Sequence, residues 1–265
     1  MPVIVEHRGR VVVLTLSDPE RRNALTLPLV NEIVATFDAL EADELVGAVV
    51  VTGADNVFCS GADVSALGQM ARPDANDDER AEVSSVYSGF LRVLHSTLPT
   101  VAAINGPAVG AGFNLALACD VRLVGESARL DARFLKIGLH PGGGHLWLLE
   151  RAVGPQHAAA ITLFGNALVG DDAVRRGLAW SCHPDEELVD AAVAFAARAA
   201  QVPKSLMTRT KKTLRAAPWQ QDFETAVATE LEHQTWSFAQ GWFPTAVDQR
   251  LDEPGTPAPG TPAPA

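Results

Sequence analysis

Apolar positions along this chain follow two rhythms. Short apolar or alternating runs at Val3–Glu6, Val11–Leu16, Ala48–Thr52, Val101–Ile104 and Val121–Val124 predict strands, most of them buried. Ala128–Leu130 and Leu178–Cys182 are shorter runs of the same kind. Between them the spacing becomes helical. Leu29, Val30, Ile33, Val34, Phe37 and Leu40 predict a helix from about Leu27 to Ala42, capped by Asn23 or Thr26. Further helices are expected over Val83–His95, Leu146–Val153 with its continuation Gln156–Phe164, Asp171–Arg176, Leu188–Ala200, Lys204–Ala217 and Phe223–Phe238. Strand–helix alternation predicts an α/β fold.

Two stretches break the pattern. Gln69 to Glu82 is polar and acidic, with Asp74, Asp77, Asp78, Glu79 and Glu82 around Pro73, and reads as a solvated loop. After Glu253 only Pro, Ala, Gly and Thr remain, a composition that forms no packed core. The 265 residues, 47% hydrophobic, suffice for one large core and an appendage. A formal charge of −11 argues against a general nucleic-acid-binding surface, and any polyanionic ligand would need local basic groups. The three cysteines, Cys59, Cys119 and Cys182, lack metal-ligand spacing and read as buried reduced thiols. With no signal-like N-terminus and no membrane-spanning apolar run, a soluble cytoplasmic protein is expected.

The chemistry concentrates between Thr100 and Asp120. A buried strand, the turn Asn105-Gly106-Pro107, the run Val109-Gly110-Ala111-Gly112 and an apolar helix follow one another. Backbone N–H groups at such a helix start favour a phosphate or a developing oxyanion. Gly110 and Gly112 also match two glycines of a dinucleotide fingerprint, but Leu115 occupies the third position. A turn rich in glycine only for helix–sheet packing is the third reading. A second strand-and-turn segment, Asn56-Val57-Phe58-Cys59-Ser60-Gly61-Ala62-Asp63-Val64, lies upstream.

With both segments in view, the chain resembles the crotonase superfamily, the enoyl-CoA hydratase/isomerase family. Asp18-Pro19-Glu20-Arg21-Arg22-Asn23-Ala24-Leu25, Cys119-Asp120, Gly138-Leu139-His140-Pro141-Gly142-Gly143-Gly144 and Arg151-Ala152-Val153-Gly154 carry the same resemblance, which spans Val3 to about Val247. It implies a spiral of ββα units over residues 1–195, a C-terminal helical region at 196–250 that builds a trimer or hexamer, and a disordered tail at 251–265. It also implies an acyl-CoA substrate, with CoA part of the substrate and no separate cofactor or metal. The thioester oxygen would sit between the backbone N–H groups of Ala62 and Ala111, the latter standing where glycine is usual. Arg22, Ala24, Ala62, Asp63, Val64 and Ser65 would contact the CoA thioester.

One departure limits what the resemblance implies. Hydratases of this family use two glutamates to position water and move protons; here those positions hold Asn114 and Phe134. Asparagine can hydrogen-bond water but does not ionise at neutral pH, and phenylalanine does neither. Standard two-glutamate hydration is therefore closed to this chain. His140, His145 and Asp131 are the candidate acids or bases, with His140 favoured because it lies closer in sequence to Phe134. Structural histidines and a surface aspartate are the competing readings, and His95 reads as a capping residue. Two functions stay open: a lyase or isomerase of acyl-CoA metabolism with atypical acid–base groups, or a non-catalytic acyl-CoA carrier or sensor.

Overall fold

Six of the apolar runs assemble into one sheet. In the computed structural model, which describes residues 2–63, 68, 77–220 and 222–251, β1 (Val3–Arg8) turns back antiparallel on β2 (Val11–Leu16). β3 (Ala48–Gly53), β4 (Thr100–Ile104), β6 (Val121–Gly125) and β9 (Ser181–His183) then add in parallel, giving the order β1-β2-β3-β4-β6-β9. A three-stranded sheet of β5 (Pro107–Val109), β7 (Arg129–Asp131) and β8 (Leu168–Val169) accompanies it. The α/β expectation is met.

Parallel strands are buried on both faces, which is why their sequences are continuously apolar. Val12, Leu14, Val49, Val51 and Ala102 face the main core, which includes α1 (Leu27–Ala42). Val11, Val13, Ala48, Val50, Val101, Ala103 and Leu123 pack on the other side, where α6 (Leu188–Ala200) presents Leu188, Ala192, Ala196 and Ala200. The alternation follows from the two-residue strand period. Thr26 caps α1 by accepting a hydrogen bond from Leu29 N, with Pro28 in the first turn.

The acidic segment departs from its expected loop. α2 begins at Asp77 and runs to Leu94, so Asp77 to Glu82 is helical, not loop. Acidic residues suit a helix N-terminus because the positive end of the dipole lies there. Residues 69–76, Val64 and Ser65, and the tail beyond residue 251 lie outside the described residues.

After β4 and β5 come α3 (Ala111–Ala118), β6, β7 and α4 (His145–Leu163), then α5 (Asp171–Arg175). α4 is two helical stretches joined at Gly154, whose φ of 76° breaks the ladder before Pro155. The boundary expected after residue 195 falls inside α6, where Ala196 and Ala200 are buried. The first compact unit runs to Lys204 and the second begins at Ser205. The second unit contains most of α7 (Lys204–Ala216), together with α8 (Phe223–Phe238) and α9 (Trp242–Leu251). Within it, Arg209 stacks over Trp236 at 4.1 Å, and Trp236 and Trp242 meet edge-on with centroids 5.8 Å apart. Leu214, Trp219, Phe223, Leu231 and Phe238 remain exposed.

Candidate functional site

The two glycine-containing segments run side by side. Cys59 bridges Ala108 in parallel: Cys59 N donates to Pro107 O at 3.1 Å, and Val109 N donates to Cys59 O at 3.0 Å. A Cβ on Gly112 would collide with Cys59 O, and one on Gly61 would lie 2.6 Å from Val109 O and 3.5 Å from Ala111 N. Only glycine permits this approach. The upstream segment also pairs with the 21–25 loop. Leu25 N donates to Gly61 O at 2.8 Å and Ser60 N to Arg22 O at 3.1 Å.

That loop is fixed by one side chain. Asn23, fully buried with φ of 55°, accepts from Asp18 N at 2.9 Å and donates to Ala54 O and Val57 O at 3.1 and 2.8 Å. Its amide holds the left-handed turn that presents exposed Arg22 beside buried Ala24. Ala62 and Asp63 are half-buried next to it.

Ala111 is the first residue of α3, with Gly110 as N-cap at φ 53°. Ala111 has no left-handed strain, so its N–H keeps a helical orientation in place of the usual glycine. First-turn N–H groups have no partner within their own helix. Among the described residues, neither Ala62 N nor Ala111 N donates to a backbone carbonyl. The two segments thus bring two backbone donors to one place.

Asn114, Phe134 and His145 also come together. Asn114 lies one helical turn below Ala111 and is buried. His145, the first residue of α4 and 1% exposed, donates from Nδ1 to Asn114 Oδ1 at 2.8 Å. Asn114 Nδ2 donates to Gly142 O at 3.0 Å, and the same carbonyl accepts His145 N at 3.3 Å. Phe113 and Phe134 stand edge-on to the imidazole, with centroids 5.3 and 5.0 Å away. The Phe134 ring also lies 3.8 Å from where a Gly110 Cβ would be, so it neighbours both the imidazole and the turn that opens α3. Burial pushes the His145 pKa down to about 4. Its Nε2 is buried and meets no partner among the described residues.

The other two acid–base candidates sit elsewhere. His140 is exposed, and its Nδ1 donates to Pro141 O at 2.8 Å. Proximity in sequence to Phe134 pointed to it; the turn at Pro141–Gly144 instead delivers His145 to the buried side. Asp131 is 1% exposed, and its Oδ2 meets Arg133, Arg129 and Lys136 at 3.1, 3.3 and 3.6 Å. Burial raises its pKa, but the hydrogen bond from Arg133, the nearby Lys136 charge and Arg129 outweigh burial and hold it below the ordinary value. The Asp131 backbone carbonyl accepts from Gly110 N at 3.0 Å, and Asp131 Oδ1 is buried with no partner among the described residues.

Three contributors carried no sequence signal. Tyr87 and Phe90 of α2 press on Gly142 and Gly143, where a Cβ would strike their rings or hydroxyl. The Gly142 carbonyl is the third. Asn114 did carry a signal: a lone amide in a helix otherwise apolar must find a partner. Among the described residues, no three of His, Cys, Asp and Glu gather as metal ligands, and no helix is long and apolar enough to cross a membrane. Cys59 is buried, and its thiol is pushed up to about 12, so it is no nucleophile.

The enoyl-CoA hydratase/isomerase family model matches residues 6–241. The probable enoyl-CoA hydratase EchA14 of Mycobacterium tuberculosis is 47% identical over 215 residues, 81% of this chain and 82% of that protein. The fold superposes on an enoyl-CoA hydratase of Bacillus anthracis with a TM-score of 0.86 at 25% identity, covering 94% of this chain and 95% of the other. A candidate enoyl-CoA hydratase of Thermobifida fusca, solved in complex with CoA, aligns with a TM-score of 0.79 at 29% identity over 90% of this chain and 93% of its own. A family model matched over residues 6–241, a relative 47% identical over 81% of the chain and a shared crotonase fold place this chain in the enoyl-CoA hydratase/isomerase family.

Proposed function

We propose that this protein binds an acyl-CoA thioester and enolises it, with His145 in place of the two carboxylates of a standard hydratase. The observation that carries the reading is the buried, neutral His145, held by Asn114 and flanked by Phe134, beside the turn that presents Ala111 N–H. The thioester oxygen would accept from Ala62 N and Ala111 N. Two aligned donors oppose the charge that grows on that oxygen, each worth about 2.7–4 kcal/mol of barrier.

The proton balance is simple. The α-proton leaves C-2 for His145 Nε2, the C–H electron pair forms the C1–C2 double bond, and the carbonyl pair moves onto the oxygen. A pKa of about 4 makes His145 a weak base in the free protein. Negative charge developing on a neighbouring enolate would raise that pKa, so the imidazolium and the enolate stabilise each other. Returning the proton to another carbon, expelling a leaving group or adding water would then complete an isomerase, lyase or atypical hydratase reaction.

Arg22, Ala24 and Asp63, with Val64 and Ser65 beyond the described residues, complete the proposed CoA contacts. CoA is part of the substrate and no separate cofactor enters. The proposed assembly is a trimer or hexamer through the C-terminal helices, whose exposed aromatics suit such contacts. A mass-spectrometric screen of acyl-CoAs in heavy water tests the proposal. Deuterium gain at C-2 of a bound acyl-CoA supports it; binding without exchange supports the carrier instead; no binding at millimolar concentration removes the ligand class.

A further inference from the structure

Resting on the His145 reading above, we infer that Asn114 is a positioning residue: it locks His145 as the Nδ1–H tautomer and so leaves the lone pair on Nε2. Three contacts close a ring. Gly142 O can only accept, so the Asn114 NH₂ group must face it, at 3.0 Å. That orientation turns Asn114 Oδ1, which can only accept, toward His145 Nδ1 at 2.8 Å. The backbone N–H of His145 returns to Gly142 O at 3.3 Å. Each amide and ring orientation therefore fixes the next, and none can flip without losing a buried hydrogen bond.

A neutral imidazole carries one N–H and one lone pair. With Nδ1 committed as donor, Nε2 is an acceptor by elimination, and it is the ring nitrogen with no protein partner. The groups facing the ring are Asn114 and Phe113 from α3 and Phe134 from the turn before α4, none of them charged. Burial alone disfavours the imidazolium. The carboxylate position of an ordinary hydratase has thus become the device that sets the proton on a histidine.

Nitrogen-15 NMR of the labelled, ligand-free protein reads the tautomer directly, with His145→Gln identifying the resonances. The expected result is a protonated Nδ1 and a bare Nε2 from pH 5 to 9, the range being set about one unit above the His145 pKa. Asn114→Leu removes the acceptor and should produce a mixture of tautomers; Asn114→Asp keeps an acceptor and should retain Nδ1–H while raising the pKa of His145. C-2 exchange should fall in Asn114→Leu in proportion to the share of His145 that moves its proton to Nε2, a severalfold loss that is smaller than the loss in His145→Gln. A proton on Nε2 in the unaltered protein, or an unchanged tautomer in a folded Asn114→Leu variant, overturns the inference. The unaltered protein's spectrum decides even if the leucine variant does not fold. Normal exchange in His145→Gln with the tautomer as stated would remove the catalytic reading and uphold the lock.

Discussion

Phe134 stands edge-on to His145, their ring centroids 5.0 Å apart. Phe134 gives the imidazole an apolar neighbour. An anion there would stabilise the imidazolium; a phenyl ring disfavours it. Asn114 and Phe134 together surround His145 with an amide and a phenyl ring, neither of them charged.

Crotonyl-CoA should be hydrated very slowly. Each acid–base group is worth roughly 10²–10⁴-fold, and the proposed site offers one weakly basic histidine. Loss of the conjugated-enone absorbance measures the rate. Turnover near that of an ordinary hydratase would show that another group performs the task.

Stability should fall with acid through His145. The folded pKa of about 4 lies below the ordinary 6.5, so the unfolded chain binds the extra proton first. Below about pH 6.5 each unit then costs stability, up to about 3 kcal/mol by pH 4, where the loss levels off. Denaturant titrations across that window should show a shallower decline in His145→Gln than in the unaltered protein. Parallel declines would contradict the assigned burial cost.

The oxyanion turn should not tolerate a methyl group. Gly112→Ala places Cβ against Cys59 O, so the two segments must separate. Overpacking of this kind costs about 1–3 kcal/mol. Thermal unfolding should show the loss, and C-2 exchange should fall further than stability alone explains. An unchanged melting temperature would show that the segments have room to move apart.

Light scattering should find a trimer or hexamer at micromolar concentration. Leu214, Trp219, Phe223, Leu231 and Phe238 expose apolar area on the C-terminal helices. Removing the residues after Glu253 should leave the assembly unchanged. A monomer throughout would reject the proposal.

Strands β2, β3 and β4 and helix α1 were legible because burial on two faces, or on one helical stripe, leaves a periodic trace. β5 and β8 were not; three residues and two residues are too short to show a period. The start of α2 was hidden because acidic residues read alike in a loop and at a helix N-terminus. α9 also went unread. The close pairing of the two glycine-containing segments was visible through their glycines, since close backbone approach demands them. The burial of His145 was not legible, because its partner lies 31 residues away on another helix. A buried amide announces that it needs a partner; it does not say which one.

In the proposed function, His145 moves the α-proton of an acyl-CoA held at Ala62 and Ala111. Deuterium exchange at C-2 of a saturated acyl-CoA in heavy water, with and without His145→Gln, tests it most directly. Acyl-CoA affinity is measured on the same samples. Affinity should be retained and exchange reduced roughly 10²- to 10⁴-fold in the variant. Equal exchange rates at equal affinity would contradict it.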